Sequence, residues 1–162
     1  MSWDKITEKQ NSKSESIDKK STREILEIIN HEDLGVADAV ADALHAIQQF
    51  INDLVISFQQ GGRLFYVGSG TSGRLGILDA AECPPTYRTN PEMVQGIIAG
   101  GNDALVRSIE GAEDSADNGA QAVIEYGITK KDVVLGITAS SSTPFVLGAL
   151  KEANKIRALT GL

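Results

Sequence analysis

The sequence predicts an α/β protein: a parallel sheet with helices on both faces, three layers in all, preceded by an N-terminal helical arm. Two observations lead to this fold class. From Arg63 onward, short apolar runs alternate with helix-like segments, the pattern of parallel strands joined by crossover helices. Before Arg63, apolar residues recur at three- and four-residue spacing, which is typical of amphipathic helices.

The N-terminal part predicts an arm followed by two helices. Residues 1 to about 20 are too polar to order alone, so they form an arm or pack on something else. Ser21–Glu24 has the sequence of a capping box, and the first helix is expected to end near Asn30 or His31. The second is expected to carry the apolar stripe from Val36 to Phe58 and to stop at the following glycine pair.

The remainder predicts four strands and four helices. Strands are expected at about 63–67, 94–98, 133–138 and 156–160, and helices near 74–82, 103–110, 116–126 and 144–155. The domain boundaries follow: 1–60 for the arm and the helices that pack on the sheet, and 61–162 for the α/β domain. Because the fourth strand has no helix after it to cover it, the domain is expected to be incomplete at its C-terminal end.

Composition limits the functions that need to be considered. A net charge of −7 and a pI near 4.8 argue against nucleic acid and anionic membranes as partners. No apolar run could span a bilayer and no signal-peptide core is present, so a soluble, cytoplasmic protein is expected. Cys83 has no partners at metal-ligand spacing, and His31 and His45 are interpreted as surface residues. Neither a metal nor a cofactor is expected.

The segment Val67–Arg74 is the strongest functional signal. An apolar run leads into glycines and then into a predicted helix. Such a turn holds phosphate, because glycines let the backbone approach and the first helical amides point at the anion. Gly68 and Gly70 supply the turn, and the hydroxyls are those of Ser69, Thr71 and Ser72. These neutral donors suit a phosphate monoester on a small molecule.

Two other interpretations of this loop remain open. Gly68, Gly70 and Gly73 also satisfy the dinucleotide fingerprint G-x-G-x-x-G. That function needs an acidic residue at the end of the second strand, where this chain has Ala99–Asn102 and no acid. Alternatively, the glycines serve only the tight packing of a strand on a helix.

A second hydroxyl-rich turn, Thr138–Thr143, follows the third predicted strand. In parallel sheets ligands bind beyond the carboxyl ends of strands, so the two loops are expected to face one crevice. Glu82 ends the helix that starts in the first loop, and Glu113 lies at a break between helical pieces. Either glutamate is a candidate acid or base, although most carboxylates of an acidic chain are solvated surface groups. Cys83, with no histidine beside it, is interpreted as a packed residue rather than a nucleophile.

Three blocks of sequence resemble a known family. Gly68–Tyr87 closely resembles the signature of bacterial N-acetylmuramic acid 6-phosphate etherases, and Ile97–Gly101 and Glu110–Ser115 are similar to the next two blocks of that family. Ile29–Asp33 is similar to its leader. A more distant relative is the animal glucokinase regulatory protein, which shares the sugar-isomerase (SIS), flavodoxin-like fold without the etherase chemistry.

The resemblance implies a lyase that cleaves the D-lactyl ether of N-acetylmuramic acid 6-phosphate, giving N-acetylglucosamine 6-phosphate and D-lactate. It implies that Glu82 protonates the departing oxygen and that Glu113 handles the proton at C2. It further implies that Ser69, Thr71 and Ser72, with Ser140 and Thr143, hold the 6-phosphate. It implies a homodimer whose active sites draw on both subunits. The alternative is a non-catalytic phosphosugar-binding module, or an inactive truncated relative.

The chain departs from the family in two respects. Where the family reads Ala-Ser-Gly-Arg-Thr-Pro, Ala139–Pro144 has serine in place of both the glycine and the arginine, at Ser141 and Ser142. Loss of a cation weakens an anion site. Family chains also continue well beyond this length, so part of the sheet and of the site is expected to be missing.

Overall fold

The computed structural model describes Thr7 and residues 9–162, and within them the chain forms four α-helices and four β-strands. Their bounds are α1 Thr22–Gln59, β1 Leu64–Gly68, α2 Gly70–Tyr87, β2 Val94–Ile98, α3 Ala116–Glu125, β3 Val133–Ile137, α4 Pro144–Lys155 and β4 Leu159–Gly161. Short 3-10 helices occupy Ser12–Ser14, Ile17–Lys19, Asn102–Leu105 and Ala112–Asp114. None of the described helices is long and apolar enough to cross a membrane.

The chain divides into two compact units, Met1–Ile51 and Asn52–Leu162. The predicted division into 1–60 and 61–162, with the first part packed on the sheet, stays a prediction. The arm was predicted over residues 1–20, of which 1–6 and 8 lie outside the described residues. Further along the arm, Asn11 and Lys13 each donate a hydrogen bond to the Glu32 carboxylate at 2.6 Å, so this part of the arm is tied to α1.

α1 is one continuous helix of 38 residues, and the prediction of two helices separated near His31 was wrong. The only helix breaker in the predicted gap is Gly35. One glycine costs a helix about 1 kcal/mol, too little to end it against good helix formers on both sides. The predicted capping box is present: Glu24 accepts from the Ser21 backbone at 2.7 Å. The hydrogen bond from the Ser21 hydroxyl, followed by that from its backbone amide, lowers the pKa of Glu24.

The four strands form one parallel sheet in the order β2-β1-β3-β4. β1 therefore lies between β2 and β3, and the chain leaves it first toward one edge and later toward the other. That reversal is the switch point at which open α/β sheets bind ligands. Gly68 at the end of β1 pairs with Ile137 at the end of β3, so both hydroxyl-rich loops start from neighbouring positions at one edge.

Helices cover both faces of the sheet, which confirms the predicted three-layer architecture. Successive side chains of β1 point to opposite faces. Phe65 and Val67 are fully buried in a cluster with Val123 of α3 and Val146 of α4. Tyr66 faces the other way, and a Cβ at Gly76 of α2 would lie 2.6 Å from its Cβ. α2 thus packs on one face, and α3 and α4 on the other.

Two helix predictions were wrong for identifiable reasons. The helix predicted near 74–82 continues through Pro84 and Pro85: α2 runs to Tyr87 and ends where the Arg88 amide donates to the Pro84 carbonyl at 2.8 Å. Each proline removes one hydrogen-bond donor, but its fixed φ still fits the last helical turns. The helix expected at 103–110 is reduced to the 3-10 turn Asn102–Leu105.

The fourth strand begins at Leu159 rather than at 156. α4 continues to Lys155, and Arg157 then adopts a left-handed φ of 63°. The Ala158 amide donates to the Ala153 carbonyl at 3.0 Å. These residues form the helix C-terminal turn, and only after that turn can the chain pair with β3.

An ion pair between a buried aspartate and a half-buried arginine lies at the start of β1 and β3, the edge opposite the hydroxyl-rich loops. Asp132 is only 3 % exposed, and its Oδ2 lies 2.9 Å from Arg63 Nη2. The carboxylate also accepts from the backbone amides of Arg63 and Thr129, both at 2.8 Å. Burial alone would raise the pKa of Asp132, but the hydrogen bonds from Arg63 and Thr129 outweigh it and hold the pKa below its usual range.

Candidate functional site

The turn from β1 into α2 brings two backbone segments into contact. A Cβ at Gly68 would lie 2.6 Å from the Gly73 amide nitrogen, and a Cβ at Gly73 would lie 2.8 Å from the Gly68 carbonyl oxygen. Gly70 has a left-handed φ of 54° and open space around it. Tight packing therefore explains Gly68 and Gly73, whereas the backbone turn itself explains Gly70.

Ser69 is the N-cap residue of α2, but its side chain makes no capping hydrogen bond. Serine is favoured at this position because its hydroxyl normally accepts from a first-turn amide. Here Ser69 Oγ is buried and has no hydrogen-bond partner. Thr71 and Ser72 follow in the first turn of α2, which contains no acidic residue. The backbone amides of the first turn therefore receive no hydrogen bond acceptor from the Ser69 side chain or from an acidic side chain. The Ser69 hydroxyl is itself without a partner.

Ser69 and Gly70 line a cavity of about 340 Å³ together with Glu113. Its other lining residues are Arg74, Ala99, Ala104, Arg107, Ser108, Ile109, Glu110, Gly111, Ala112 and Asp114. The volume falls within the usual range for small-molecule sites. Gly68, Thr71 and Ser72 of the predicted phosphate loop do not line it. Two residues of the predicted anion anchor and one predicted acid/base residue therefore share a single cavity.

Arg74 joins the loop helix to the opposite wall of this cavity. Its Nε donates to the Leu105 carbonyl and its Nη2 to the Arg107 carbonyl, each at 3.0 Å. The segment at 103–110, predicted to be a helix, is thus tied to α2 by two side-chain hydrogen bonds to its backbone carbonyls. No role for Arg74 was predicted from the sequence, although its position four residues after Gly70 places both on one helix face.

Glu113 lies in the 3-10 turn Ala112–Asp114, which follows Gly111 at a φ of 74°. The residue is exposed, and no residue in the described part of the chain forms a hydrogen bond or ion pair with its carboxylate. Ser115, two residues after Glu113, caps α3, because its hydroxyl accepts a hydrogen bond from the Asn118 amide at 3.1 Å. The cap fixes the end of the turn, so the carboxylate is held on an ordered segment and remains available to a ligand.

Glu82 is not part of this cavity. It is exposed on the C-terminal third of α2, and the residues that line the cavity do not include it. Asp79, one turn earlier, accepts from the Tyr66 hydroxyl at 2.7 Å. Burial and then the charge of Asp79 raise the pKa of Cys83, so the thiol stays protonated, as expected for a packed residue. Within one chain, the two candidate catalytic glutamates therefore do not share this cavity.

The second hydroxyl-rich loop pairs its own side chains. Thr138 Oγ1 and Thr143 Oγ1 are 2.9 Å apart, and Ser140 Oγ and Ser142 Oγ are 2.8 Å apart. The predicted phosphate ligands Ser140 and Thr143 do not line the cavity described above. Their loop nevertheless begins beside the Ser69 loop, because the ends of β1 and β3 are paired.

Ser141 occupies the position at which the resembling family has glycine, and its φ is 53°. A left-handed conformation costs an L-residue about 1–2 kcal/mol and costs glycine almost nothing. We expect Ser141→Gly to raise the free energy of unfolding in urea by about 1 kcal/mol. The control is Ser142→Gly, which relieves no positive φ and removes the bond to Ser140. A Ser141→Gly variant no more stable than wild type would contradict the prediction.

The described part of the chain contains no group of three or more histidine, cysteine or acidic side chains placed to hold a metal ion. Its sequence does match a known family. The family model described as "Glucokinase regulatory protein N-terminal SIS domain" matches residues 46–154, which include β1, α2, β2, α3 and β3. This chain is a member of that SIS-domain family.

Curated relatives of this SIS domain are named N-acetylmuramic acid 6-phosphate etherase, which confirms the resemblance drawn from Gly68–Tyr87. One from Clostridium acetobutylicum is 55% identical over 152 residues, which cover 94% of this chain and 50% of the relative. One from a Nostoc species is 54% identical over 155 residues, 96% of this chain and 50% of the relative. One from a Geobacillus species is 49% identical over 155 residues, 96% of this chain and 52% of the relative. The chain thus spans about half the length of the curated relatives it matches.

Proposed function

We propose that the SIS domain belongs to a lyase that cleaves the D-lactyl ether of N-acetylmuramic acid 6-phosphate, releasing N-acetylglucosamine 6-phosphate and D-lactate. One observation carries the proposal: Ser69, whose buried hydroxyl makes no hydrogen bond, and Glu113, whose carboxylate has no partner among the described residues, line the same cavity. The relatives named as etherases, with identities of 49% to 55%, supply the substrate.

The reaction needs an anion anchor and two acid/base groups. In the open-chain sugar the C1 aldehyde acidifies the C2 proton, and Glu113 removes it. The C3–O bond then breaks, and Glu82 gives its proton to the departing lactate oxygen. Water next adds its hydroxyl to C3 and a proton to C2, which regenerates the saturated sugar. Proton transfers of this kind each contribute about 10²–10⁴-fold in rate.

In this proposal the 6-phosphate is held by Gly68, Ser69, Gly70, Thr71 and Ser72, with Ser140 and Thr143 from the neighbouring loop. The first-turn amides of α2 and its dipole favour an anion there. In a pair of hydroxyls one donates and the other accepts, so Thr138 and Thr143 together still have one O–H proton that can be donated to a phosphate.

We also propose that two copies of the chain assemble and that the protein works in the cytoplasm. Two observations support a homodimer. Glu82 lies outside the cavity that contains Glu113, so a second copy would have to supply it. In addition, α1 exposes Val40, Leu44, Ile47 and Ile51, each 39–56 % exposed, along one helical stripe.

The test of the function is release of D-lactate from N-acetylmuramic acid 6-phosphate by the purified chain, measured by coupled oxidation of lactate. The second candidate is a phosphosugar-binding module without catalysis, which the family model of a regulatory protein and the separation of the two glutamates favour. Binding of the sugar phosphate with no lactate would establish the module and reject the lyase for this chain. If the chain neither binds the sugar phosphate nor releases lactate, both the lyase and the binding module are rejected.

Ser69→Ala tests the phosphate anchor. We expect it to weaken binding of N-acetylglucosamine 6-phosphate at least about tenfold, because a hydrogen bond to a charged group contributes about 1.5–3 kcal/mol. Isothermal titration calorimetry measures the change. The matched control is Thr89→Ala, because Thr89 Oγ1 is the other buried hydroxyl without a partner among the described residues, and it does not line the cavity. Equal effects of the two substitutions would remove Ser69 from the anchor.

A further inference from the structure

Two arginines, Arg74 and Arg107, are among the residues that line the cavity, and their side chains make different contacts. The Nε and Nη2 atoms of Arg74 donate hydrogen bonds to the carbonyls of Leu105 and Arg107. The Arg107 side chain is exposed, and within residues 7 and 9–162 nothing accepts a hydrogen bond from its guanidinium or forms an ion pair with it. Arg74 therefore holds the Arg107 backbone in place, while the Arg107 guanidinium remains available to a ligand.

The unpaired state of Arg107 is unexpected given its surroundings. Glu110, Glu113 and Asp114 line the same cavity, yet none of them reaches the guanidinium. Glu110 instead accepts from the Ser108 hydroxyl at 3.1 Å. With two arginines and three carboxylates, the lining carries a formal charge of −1. A ligand with an anionic group next to these carboxylates would be repelled unless a cation met that group.

We propose that Arg107 binds the lactyl carboxylate of N-acetylmuramic acid 6-phosphate and thereby sets the preference for the ether over the bare hexosamine 6-phosphate. This inference rests on the proposed function. The substrate is anionic at two ends, and Ser69 and the start of α2 meet only the phosphate. The lactyl group sits on C3, beside the C2 proton assigned to Glu113, so in this proposal its carboxylate lies in the cavity that Glu113 lines. Arg107 lines the same cavity.

The chemistry of arginine suits this role. A guanidinium can donate two parallel hydrogen bonds to a carboxylate and so fix its orientation as well as its position. Orienting the lactyl group also orients the ether oxygen, which is separated from the carboxylate by a single carbon. When the C3–O bond breaks, lactate keeps the carboxylate. The remaining sugar phosphate then loses its contact with Arg107, which favours release of that product.

The experiment compares two ligands that differ only by the lactyl group. Affinities for N-acetylmuramic acid 6-phosphate and N-acetylglucosamine 6-phosphate are measured by calorimetry in a Glu113→Gln background, in which bound substrate is expected to be consumed at least about 100-fold more slowly. We expect the lactyl ligand to bind at least about tenfold more tightly than its counterpart. Adding Arg107→Gln should abolish that ratio and leave the affinity for N-acetylglucosamine 6-phosphate within about twofold. Arg107→Lys should keep part of the ratio.

The control is Arg23→Gln, which removes the same charge from a solvent-exposed position on α1. Retained binding of N-acetylglucosamine 6-phosphate shows that each variant is folded. An unchanged ratio in Arg107→Gln, or an equal loss for both ligands, overturns the assignment of Arg107 while the proposed function stands. If neither sugar phosphate binds to the unsubstituted chain, the proposed function falls, and the assignment of Arg107 falls with it.

Discussion

We expect Glu113→Gln to release D-lactate at least about 100-fold more slowly than the unsubstituted chain while binding the sugar phosphate with similar affinity. The amide has nearly the shape of the carboxylate but cannot accept the C2 proton. Because no described residue pairs with the Glu113 carboxylate, the substitution breaks no interaction that stabilises the fold. Steady-state lactate release and calorimetry measure the two effects separately.

Glu110→Gln is the matched control for this experiment. It neutralises a second carboxylate of the same cavity, one that is engaged with Ser108 rather than free. A loss in Glu110→Gln as large as that in Glu113→Gln would mean that the charge of the cavity matters and not a base at position 113. Turnover retained in Glu113→Gln would exclude it from the proton transfer.

Glu82→Gln extends the prediction to the dimer. If one subunit supplies Glu82 and the other Glu113, both single variants are inactive as homodimers. A heterodimer of the two contains one site with both glutamates intact. Random mixing should then restore about a quarter of the normal activity. Two active single-variant preparations, or a mixture without recovered activity, would contradict a shared site.

Local sequence was sufficient to predict the glycine turn and its flanking elements. β1, the turn and the start of α2 are specified by contiguous residues, Leu64 to Arg74, and the structure places them within a few residues of their expected positions. Gly68 and Gly73 are required because β1 and α2 touch there. Strands β2 and β3 were predicted equally well, since each is a short apolar run between polar segments.

Interactions between distant residues account for what the sequence did not predict. The residues at 103–110 were predicted to form a helix, but local sequence does not show that Arg74 binds the carbonyl of Leu105, 31 positions along the chain. Similarly, the placement of Glu113 in one cavity with Ser69 depends on how the loop after β2 folds back, which no local pattern encodes. No role for Arg107 could be predicted from the sequence, because an isolated arginine there belongs to no motif.

The Arg63–Asp132 pair could not be predicted from local sequence either, because its partners are 69 positions apart. We expect Asp132→Asn to lower the free energy of unfolding by about 3–5 kcal/mol. The asparagine amide would present N–H groups to the Arg63 guanidinium or to the Thr129 amide, so donors would face donors. It would also leave Arg63, which lies 4.7 Å from the centre of the Phe65 ring, without its counter-ion. Urea denaturation measures the loss, and Asp42→Asn, an exposed aspartate of α1, should change stability by less than about 0.5 kcal/mol.

The difference between wild type and Asp132→Asn should depend on pH in one direction. The pKa of Asp132 is lowered in the folded protein, so the unfolded chain takes up a proton first as the pH falls. The stabilisation from this carboxylate is therefore complete above the ordinary aspartate pKa, about 3.9. It decreases as the pH drops from there through the lower folded-state pKa. The two proteins should thus differ most from about pH 5 upward and converge in acid. A stability difference that stayed constant down to about pH 2 would show that Asp132 acts through packing and not through its charge.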